Sequence, residues 1–484
     1  MLFVLLFFST LLIAQPGYLI SAGGMANDEA YDIASTSNGE VFTCGYFNNT
    51  ATFGTISRSS TGSADLFIAH QDASGNYDWV FTAGGPFFDR AYSISLDQTG
   101  NAYVTGVFSG TAVFGSQSLI TADTTQDVFV LKLDPLGNLL WVQQFGGPGN
   151  DLAFTLDTDN SGNVIVGGQF RGTSSFGAMS YTSVSNSITG EQGYDLFLVR
   201  LNSTGNVIWS KHGFSGYDDR VTSVSFGQNS EVFAGGQFSD TLTLDAVHSF
   251  AGFNFSFLAK FSSSGSEMWF KPMIALQVTQ REIDFRNGTV LVSGEYQGQL
   301  YYNGATLSGL TSTYPNKCFL LLLDNFGTPI SARDIGSDNF MSLQGARFTP
   351  SGKIWTCGNF RKVLSEFSVL TGNGVFNTAG FRDVYYAGFS NQLALEEYEH
   401  IGGPGDDVVS NLTTTIAGEP ILCGSYSSNF NIPADGTFYL TQRITIHHLL
   451  GHHNPPCIVM MEITGIIFLY TPMDFVRYLF VVRS

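Results

Sequence analysis

The sequence predicts an all-β fold: a seven-bladed β-propeller of four-stranded antiparallel blades, closed by an N-terminal strand that completes blade seven. Three observations carry this prediction. A motif, VIVGGQF at 164–170, returns as VFTCGYF at 41, AYVTGVF at 102, VFAGGQF at 232, VLVSGEY at 290, IWTCGNF at 354 and ILCGSY at 421. Its glycines, Gly45, Gly106, Gly168, Gly236, Gly294, Gly358 and Gly424, stand 58 to 68 residues apart, a period that marks a repeat architecture. The same succession of apolar runs and turns surrounds each copy, and the composition (43% hydrophobic, 13% charged, 55 glycines, 43 phenylalanines) is that of a compact β-rich chain.

Unit two shows the order within a repeat. RAYSISLD is an alternating first strand, QTGN a turn, and AYVTGVF a second strand. A variable stretch follows. DVFVLKLD then reads as a third strand, PLGN as a turn and LLWVQQF as a fourth. Glycine in these turns supplies the positive φ of a tight hairpin. Four antiparallel strands per unit, repeated radially, are propeller blades. In VIVGGQF the residues before the glycines are apolar on both faces, as expected of a sheet packed on both sides. The residue before the shared glycine is small each time (Cys44, Thr105, Gly167, Gly235, Ser293, Cys357, Cys423), and the residue three before it is large (Phe42, Tyr103, Ile165, Phe233, Leu291, Trp355, Ile421). Small and large positions in phase suit wedge-shaped blades. Equivalent positions on neighbouring blades should lie roughly 10 Å apart, beyond disulfide reach, so no bridge is expected among Cys44, Cys357 and Cys423.

The two ends complete each other. Residues 1–14 form a short apolar run ending in Ala14 and are expected to be a signal peptide; the propeller is expected over 15–446. Tyr18 of YLISAGG aligns with Trp79 of the fourth strand YDWVFTAGG, so Gly17–Ala22 reads as a fourth strand without a blade of its own. Unit seven has first and second strands but no convincing fourth. The N-terminal strand is therefore expected to complete blade seven, with a third strand near Thr437–Ile446 and a poorly packed tail over 447–484.

Two apparent motifs fail. GGPGND at 146–151 begins like a phosphate loop, but Leu152 stands where glycine is needed, and no helix pattern follows. The stretch recurs as GGMAND, GGPFFD and GGPGDD and reads as a link between blades. Asp157 to Gly162 begins like a calcium loop, but Gly168 occupies the place of the acidic twelfth ligand; the stretch reads as a strand end and hairpin turn. With these links and turns, GGPGNDLAFTLDTDNSGNVIVGGQF followed by GYDLFLVRLNSTGNVIWSKHGF resembles the SBBP-type seven-bladed propeller repeats of secreted bacterial proteins. The resemblance spans nearly the whole chain after the signal peptide and is closest in units one to three. It implies a secreted or surface propeller and carries no catalytic motif to transfer. Many such proteins end in a secretion sorting module, from which the last forty-odd residues depart.

An acidic position recurs at the links, at Asp28, Asp89, Asp151, Asp219 and Asp407. A ring of carboxylates there could hold a cation, calcium being the candidate; the expected role is instead to accept backbone N–H groups and fix the link. Trp79, Trp141, Trp209 and Trp269 share a fourth-strand position, expected to pack between outer strands rather than to form a sugar platform. His447, His448, His452 and His453 of HHLLGHH have spacing that can bind zinc. Other histidines are scattered, and neither G-x-S-x-G nor H-E-x-x-H occurs. The net charge of −19 disfavours nucleic acid and anionic membrane as partners. The expected function is a monomeric, non-catalytic binding or scaffold module for an extracellular glycan or protein, without a cofactor. The alternative is an extracellular hydrolase or lyase acting on glycans. In either case the ligand is expected on the face of the links and of the variable stretches between second and third strands, near the central channel.

Overall fold

A computed structural model describes residues 18–185, 190–249, 255–310, 316–337, 340–361, 363–364, 376–378, 381–402, 405–426 and 478–483. The expected signal peptide, the expected third strand at 437–446 and the four tail histidines lie outside these residues. Within them the protein is an all-β repeat of antiparallel sheets. Unit two has first to fourth strands Arg90–Leu96, Ala102–Ser109, Gln126–Leu133 and Leu139–Phe145, hydrogen-bonded in that order. The first strands of the other units are Glu29–Ser35, Leu152–Thr158, Arg220–Phe226, Gln277–Arg286, Met341–Phe348 and Val408–Thr414.

The turns follow from local chemistry. In Asp159 to Asn163 one carboxylate oxygen accepts the N–H groups of Ser161 and Asn163, both at 2.9 Å, while Gly162 takes φ +73°. The same side chain–backbone turn forms at Asp72, Asp97 and Asp134. These are Asx turns, and the one at Asp159 to Asn163 accounts for the sequence's apparent calcium loop.

Each first strand carries a one-residue bulge at the same place. Pairing with the second strand skips Tyr31, Tyr92, Phe154, Thr222, Arg281, Gln344 and Ser410. The bulge brings the first strand's backbone over the shared glycine. A methyl group on Gly45, Gly106, Gly168, Gly236, Gly294, Gly358 or Gly424 would collide with a carbonyl oxygen of the first strand. That steric limit is why the motif keeps glycine there.

The cores sit between units. Phe42, Cys44, Leu66 and Ile68 of unit one pack with Ala91, Ile94, Val104 and Phe129 of unit two. Later seams repeat the pattern, and Ile421 and Cys423 of unit seven pack with Ala30, Ile33 and Val41 of unit one. Cys44, Cys318, Cys357 and Cys423 are buried free thiols. The four tryptophans staple the outer strands: their indole N–H groups donate to Pro135, Ser203, Ser263 and Asn325 carbonyls in a turn of the next unit, at 3.0, 3.2, 3.1 and 3.4 Å.

Two findings differ from expectation. The stretches between second and third strands are not open loops throughout. Thr111–Phe114 with Gln117–Ile120, and Thr173–Phe176 with Met179–Thr182, form hairpins. Each reaches outward to the previous unit's fourth strand or link, through Ala83↔Phe114 and Gly146↔Ser175. Their buried Phe114 and Phe176 are the anchors, and they cover a sheet edge. The second difference is at the C-terminus. Tyr18–Gly24 lies fourth in order from Val408–Thr414 of unit seven, with its other edge pairing Val41–Phe53 of unit one, but the strand between it and Pro420–Tyr426 is Tyr478–Arg483. It pairs over Ile421↔Arg483 to Tyr426↔Tyr478 on one side and Tyr18↔Arg483 to Ala22↔Leu479 on the other. The end of the 447–484 segment is therefore a central strand rather than part of an appendage, because two otherwise unpaired edges require a ladder between them.

Deleting residues 478–484 should then lower the thermal midpoint by on the order of 10 °C, since about five ladder bonds on each side are lost at roughly 1 kcal/mol each. A truncated chain that melts like the full one would exclude this pairing.

Candidate functional site

The first strands surround a channel. In units one to four the side chain one residue past the bulge reaches across to the neighbouring first strand and accepts its backbone N–H. Asp32 accepts from Ile94 at 2.9 Å, Ser93 from Leu156 at 3.3 Å, Thr155 from Val224 at 3.2 Å and Ser223 from Ile283 at 2.8 Å. Asp157 and Asp284, two residues further on, accept from Phe226 and Phe348 at 2.8 and 2.7 Å. Asp32 also accepts the Asn411 amide of unit seven at 2.8 Å, and the Ser35 hydroxyl donates to the Thr414 carbonyl at 2.8 Å.

Arg347 occupies the channel interior, with its guanidinium 3.2 Å from a Glu282 oxygen. Burial pushes the carboxyls of Asp32, Asp157 and Asp284 up, against the pull of Arg347 and of the N–H donors. Burial pushes Glu282 up to about 8, with Arg347 opposing. Arg347 thus acts on several carboxyls, opposing the rise that burial causes in each.

Beside this layer lie two adjoining cavities, of about 270 and 450 Å³, that share Tyr31, Tyr92, Phe154, Arg281 and Gln344 in their linings. All seven bulge residues line one or both. Tyr31, Tyr92 and Phe154 form an aromatic sector, with Tyr31 and Tyr92 ring centroids 5.1 Å apart. Arg220, Arg281 and Gln344 form a polar sector. Tyr31, Tyr92, Phe154 and Gln344 are half-buried, and Arg220 and Arg281 are exposed. Sequence reading missed these residues; the available signal was the run Tyr31, Tyr92, Phe154 at one position of successive first strands.

The recurrent aspartates lie at the links, outside the cavity linings. Asp28 accepts from Gly24 N–H at 2.7 Å and Asn48 N–H at 3.0 Å. Asp89 accepts from Gly85 and Ser109 at 2.8 and 3.1 Å. Asp151 accepts from Gly147 and Arg171 at 2.8 and 3.3 Å and from the Ser174 hydroxyl at 2.7 Å. Asp219 accepts from Ser215, backbone and hydroxyl. The backbone N–H groups of Asp89, Asp151, Asp219 and Asp407 donate to the preceding unit's Ala64, Gln126, Tyr194 and Arg382 carbonyls. The position thus ties link, second strand and preceding unit together. A second recurrent acid, not read from the sequence, opens or immediately precedes the buried apolar run of the third strand: Asp65, Asp127, Asp195 and Asp383. Asp127 and Asp151 approach the same side of Gly146. Burial pushes Asp28 up to about 6, and burial with the neighbouring Asp65 or Asp127 pushes Asp89 and Asp151 up to about 7, against their N–H donors. Among the described residues no three His, Cys, Asp or Glu side chains are grouped to hold a metal ion, and no helix is long and apolar enough to cross a membrane.

No protein-family model matches the chain. An uncharacterized WD repeat-containing protein from Acanthamoeba polyphaga mimivirus is 28% identical over 169 residues, covering 31% of this chain. The chain spans 12% of that relative's length. Similar solved structures include the WD40 β-propeller domain of Doa1 (11% identity, 85% of this chain and 94% of that one, TM-score 0.41), Sqt1 from Chaetomium thermophilum (11%, 84% and 83%, 0.40) and a protein of unknown function from Bacteroides caccae (10%, 69% and 89%, 0.35). With its four-stranded units packed through their first strands, the chain is a β-propeller repeat protein.

The link acids generate a test. A carboxyl raised to about 6 or 7 by folding keeps its proton where the unfolded chain, near 4, has lost it. Its contribution to stability is full below about pH 4 and is lost as pH rises through 6 to 7. Asp151→Asn, which cannot titrate, should therefore flatten the decline in thermal midpoint between pH 5 and 8. Asp151→Ala should destabilise by roughly 1–3 kcal/mol through its orphaned donors, with no dependence on calcium. An unchanged pH slope in the asparagine variant, or a calcium-induced shift lost in the alanine variant, would contradict the structural role.

Proposed function

We propose that the protein is a secreted or cell-surface, closed seven-bladed β-propeller that acts as a non-catalytic binding or scaffold module, with its ligand at the link-side mouth of the channel. Closure is supported by Asp32, which bonds both unit two and unit seven, and by the core shared by units seven and one. In this reading residues 1–14 are the leader, and Tyr478–Arg483 joins the propeller expected over 15–446. Secretion rests on the apolar run at the N-terminus. The module works as a monomer on an extracellular glycan or protein, without nucleic acid, cofactor or membrane span.

The observation that carries the binding role is the division of labour in the channel. Asp32, Asp157 and Asp284 are occupied in holding neighbouring strands, whereas the bulge residues of every unit line the cavities. A glycan hydrolase or lyase is the second reading. It rests on Glu282, a cavity-lining carboxyl pushed up to about 8 by burial, the range of a general acid at neutral pH. A glycan array and a panel of hydrolase and lyase substrates, run on the purified protein, separate the two. Retained ligand with no released product is expected. Turnover that disappears in Glu282→Gln would replace the binding reading with the enzymatic one.

A further inference from the structure

We propose that the mouth of the channel recognises the acidic end of a uronate-bearing saccharide, with the sugar ring on the Tyr31–Tyr92–Phe154 sector and its carboxylate at Arg281 and Arg220. This deepens the binding-module reading and rests on it.

The repeats themselves pick out the site. The first strands share a small or apolar residue before the bulge in most units (Ala30, Ala91, Ala153, Val221) and a hydrogen-bonding residue after it in most (Asp32, Ser93, Thr155, Ser223). Both positions serve packing and stitching. The bulge residue between them is Tyr, Tyr, Phe, Thr, Arg, Gln or Ser, so it is free of the constraints that keep its neighbours alike. Each of these side chains nevertheless lines one or both of the two adjoining cavities. Variation on an invariant backbone, converging on one cavity, is the arrangement of a ligand site.

The chemistry of the two sectors defines the ligand. Three rings on consecutive units offer a face for the C–H side of a pyranose or for another flat apolar surface. Across the cavity, Arg220 and Arg281 stand exposed in a chain of net charge −19. Arg220 has a neutral partner, the Gln237 side-chain oxygen, 2.7 Å from its Nε. Arg281 is 3.3 Å from Glu295, and Glu295 is already held by the Leu343 N–H at 3.1 Å. Arg220 and Arg281 lie close enough to repel each other, and Asp218 also acts on Arg220; each guanidinium still has N–H donors beyond these contacts, and guanidinium takes a planar carboxylate in a paired fashion. Gln344 and Thr222 beside them can bond hydroxyl groups. A carboxylate, hydroxyls and an apolar face together describe a uronic acid. The inner cavity, about 270 Å³, is at the small end of ligand pockets, and the outer one, about 450 Å³, lies against it. This favours end-on entry of one terminal sugar with the next at the rim.

Titration calorimetry on the full chain with galacturonate trimers, the matching neutral galactose trimers and an acidic peptide distinguishes the possibilities. Uronate binding at least about tenfold tighter than neutral binding is expected, weakening with added salt. Arg281→Gln should remove most of that preference, and Tyr92→Ala should weaken both sugars. Gln344→Ala, a milder change, guards against loss through misfolding, with thermal midpoints measured for all three variants. Equal binding of neutral and acidic trimers, or binding of the peptide alone, overturns the uronate assignment while leaving a binding module at the mouth. Binding by the parent chain that none of the three folded variants alters overturns both.

Discussion

One interaction underlies the rest of the structure: a first-strand side chain accepting the backbone N–H of the first strand beside it. A strand at the axis has one edge paired to its own second strand and the other facing the channel, where a bare N–H would be costly to bury. Asp32, Ser93, Thr155, Ser223, Asp157 and Asp284 meet that need across successive seams. The bulge makes it possible, because it changes the phase of the strand and aims these side chains sideways. The bulge also brings backbone over backbone at the shared glycine. Glycine, bulge and acceptor are three parts of one solution, and none works without the others.

That solution governs the electrostatics of the channel. Carboxylates are strong acceptors, and their use at several seams concentrates acid on the axis. Arg347 is placed among them, and burial raises the carboxyls, Glu282 to about 8. At the links the same economy recurs with paired aspartates and backbone donors. The acids that a motif search marks as metal candidates, Asp28, Asp89, Asp151 and Asp219, are occupied in positioning backbone.

Much of the architecture was legible because it repeats. The turn chemistry, the strand order, the shared glycine and the fourth-strand character of Tyr18–Gly24 each follow from comparison of one unit with another. What was not legible involves a register or a partner that a single stretch does not reveal. The bulge changes which side of a strand faces the channel, so Tyr31, Tyr92 and Phe154 read as ordinary members of an alternating run. The short hairpins anchored by Phe114 and Phe176 are stabilised by the unit before them, and from their own residues look like loops. Tyr478–Arg483 has no repeat-like neighbours in sequence, and its place follows only from the two strand edges it joins. Asp65, Asp127 and Asp195 lie within or next to strands whose apolar runs attract the eye first.

The insertion of Tyr478–Arg483 between Pro420–Tyr426 and Tyr18–Gly24 also sets an order of events during synthesis. Units one to six hold all four of their strands within continuous stretches of chain, and each can form as it emerges, N-terminal units first. Unit seven depends on residues made more than fifty positions after its second strand and on a strand made before any unit existed. Until the late segment arrives, the earliest strand lacks its inner neighbour, and two ladder edges stay open to any other chain nearby. The closing contacts have the longest sequence separation in the molecule and thus the largest loop-closure cost. Those edges therefore stay open to pairing with other chains until Tyr478–Arg483 is made.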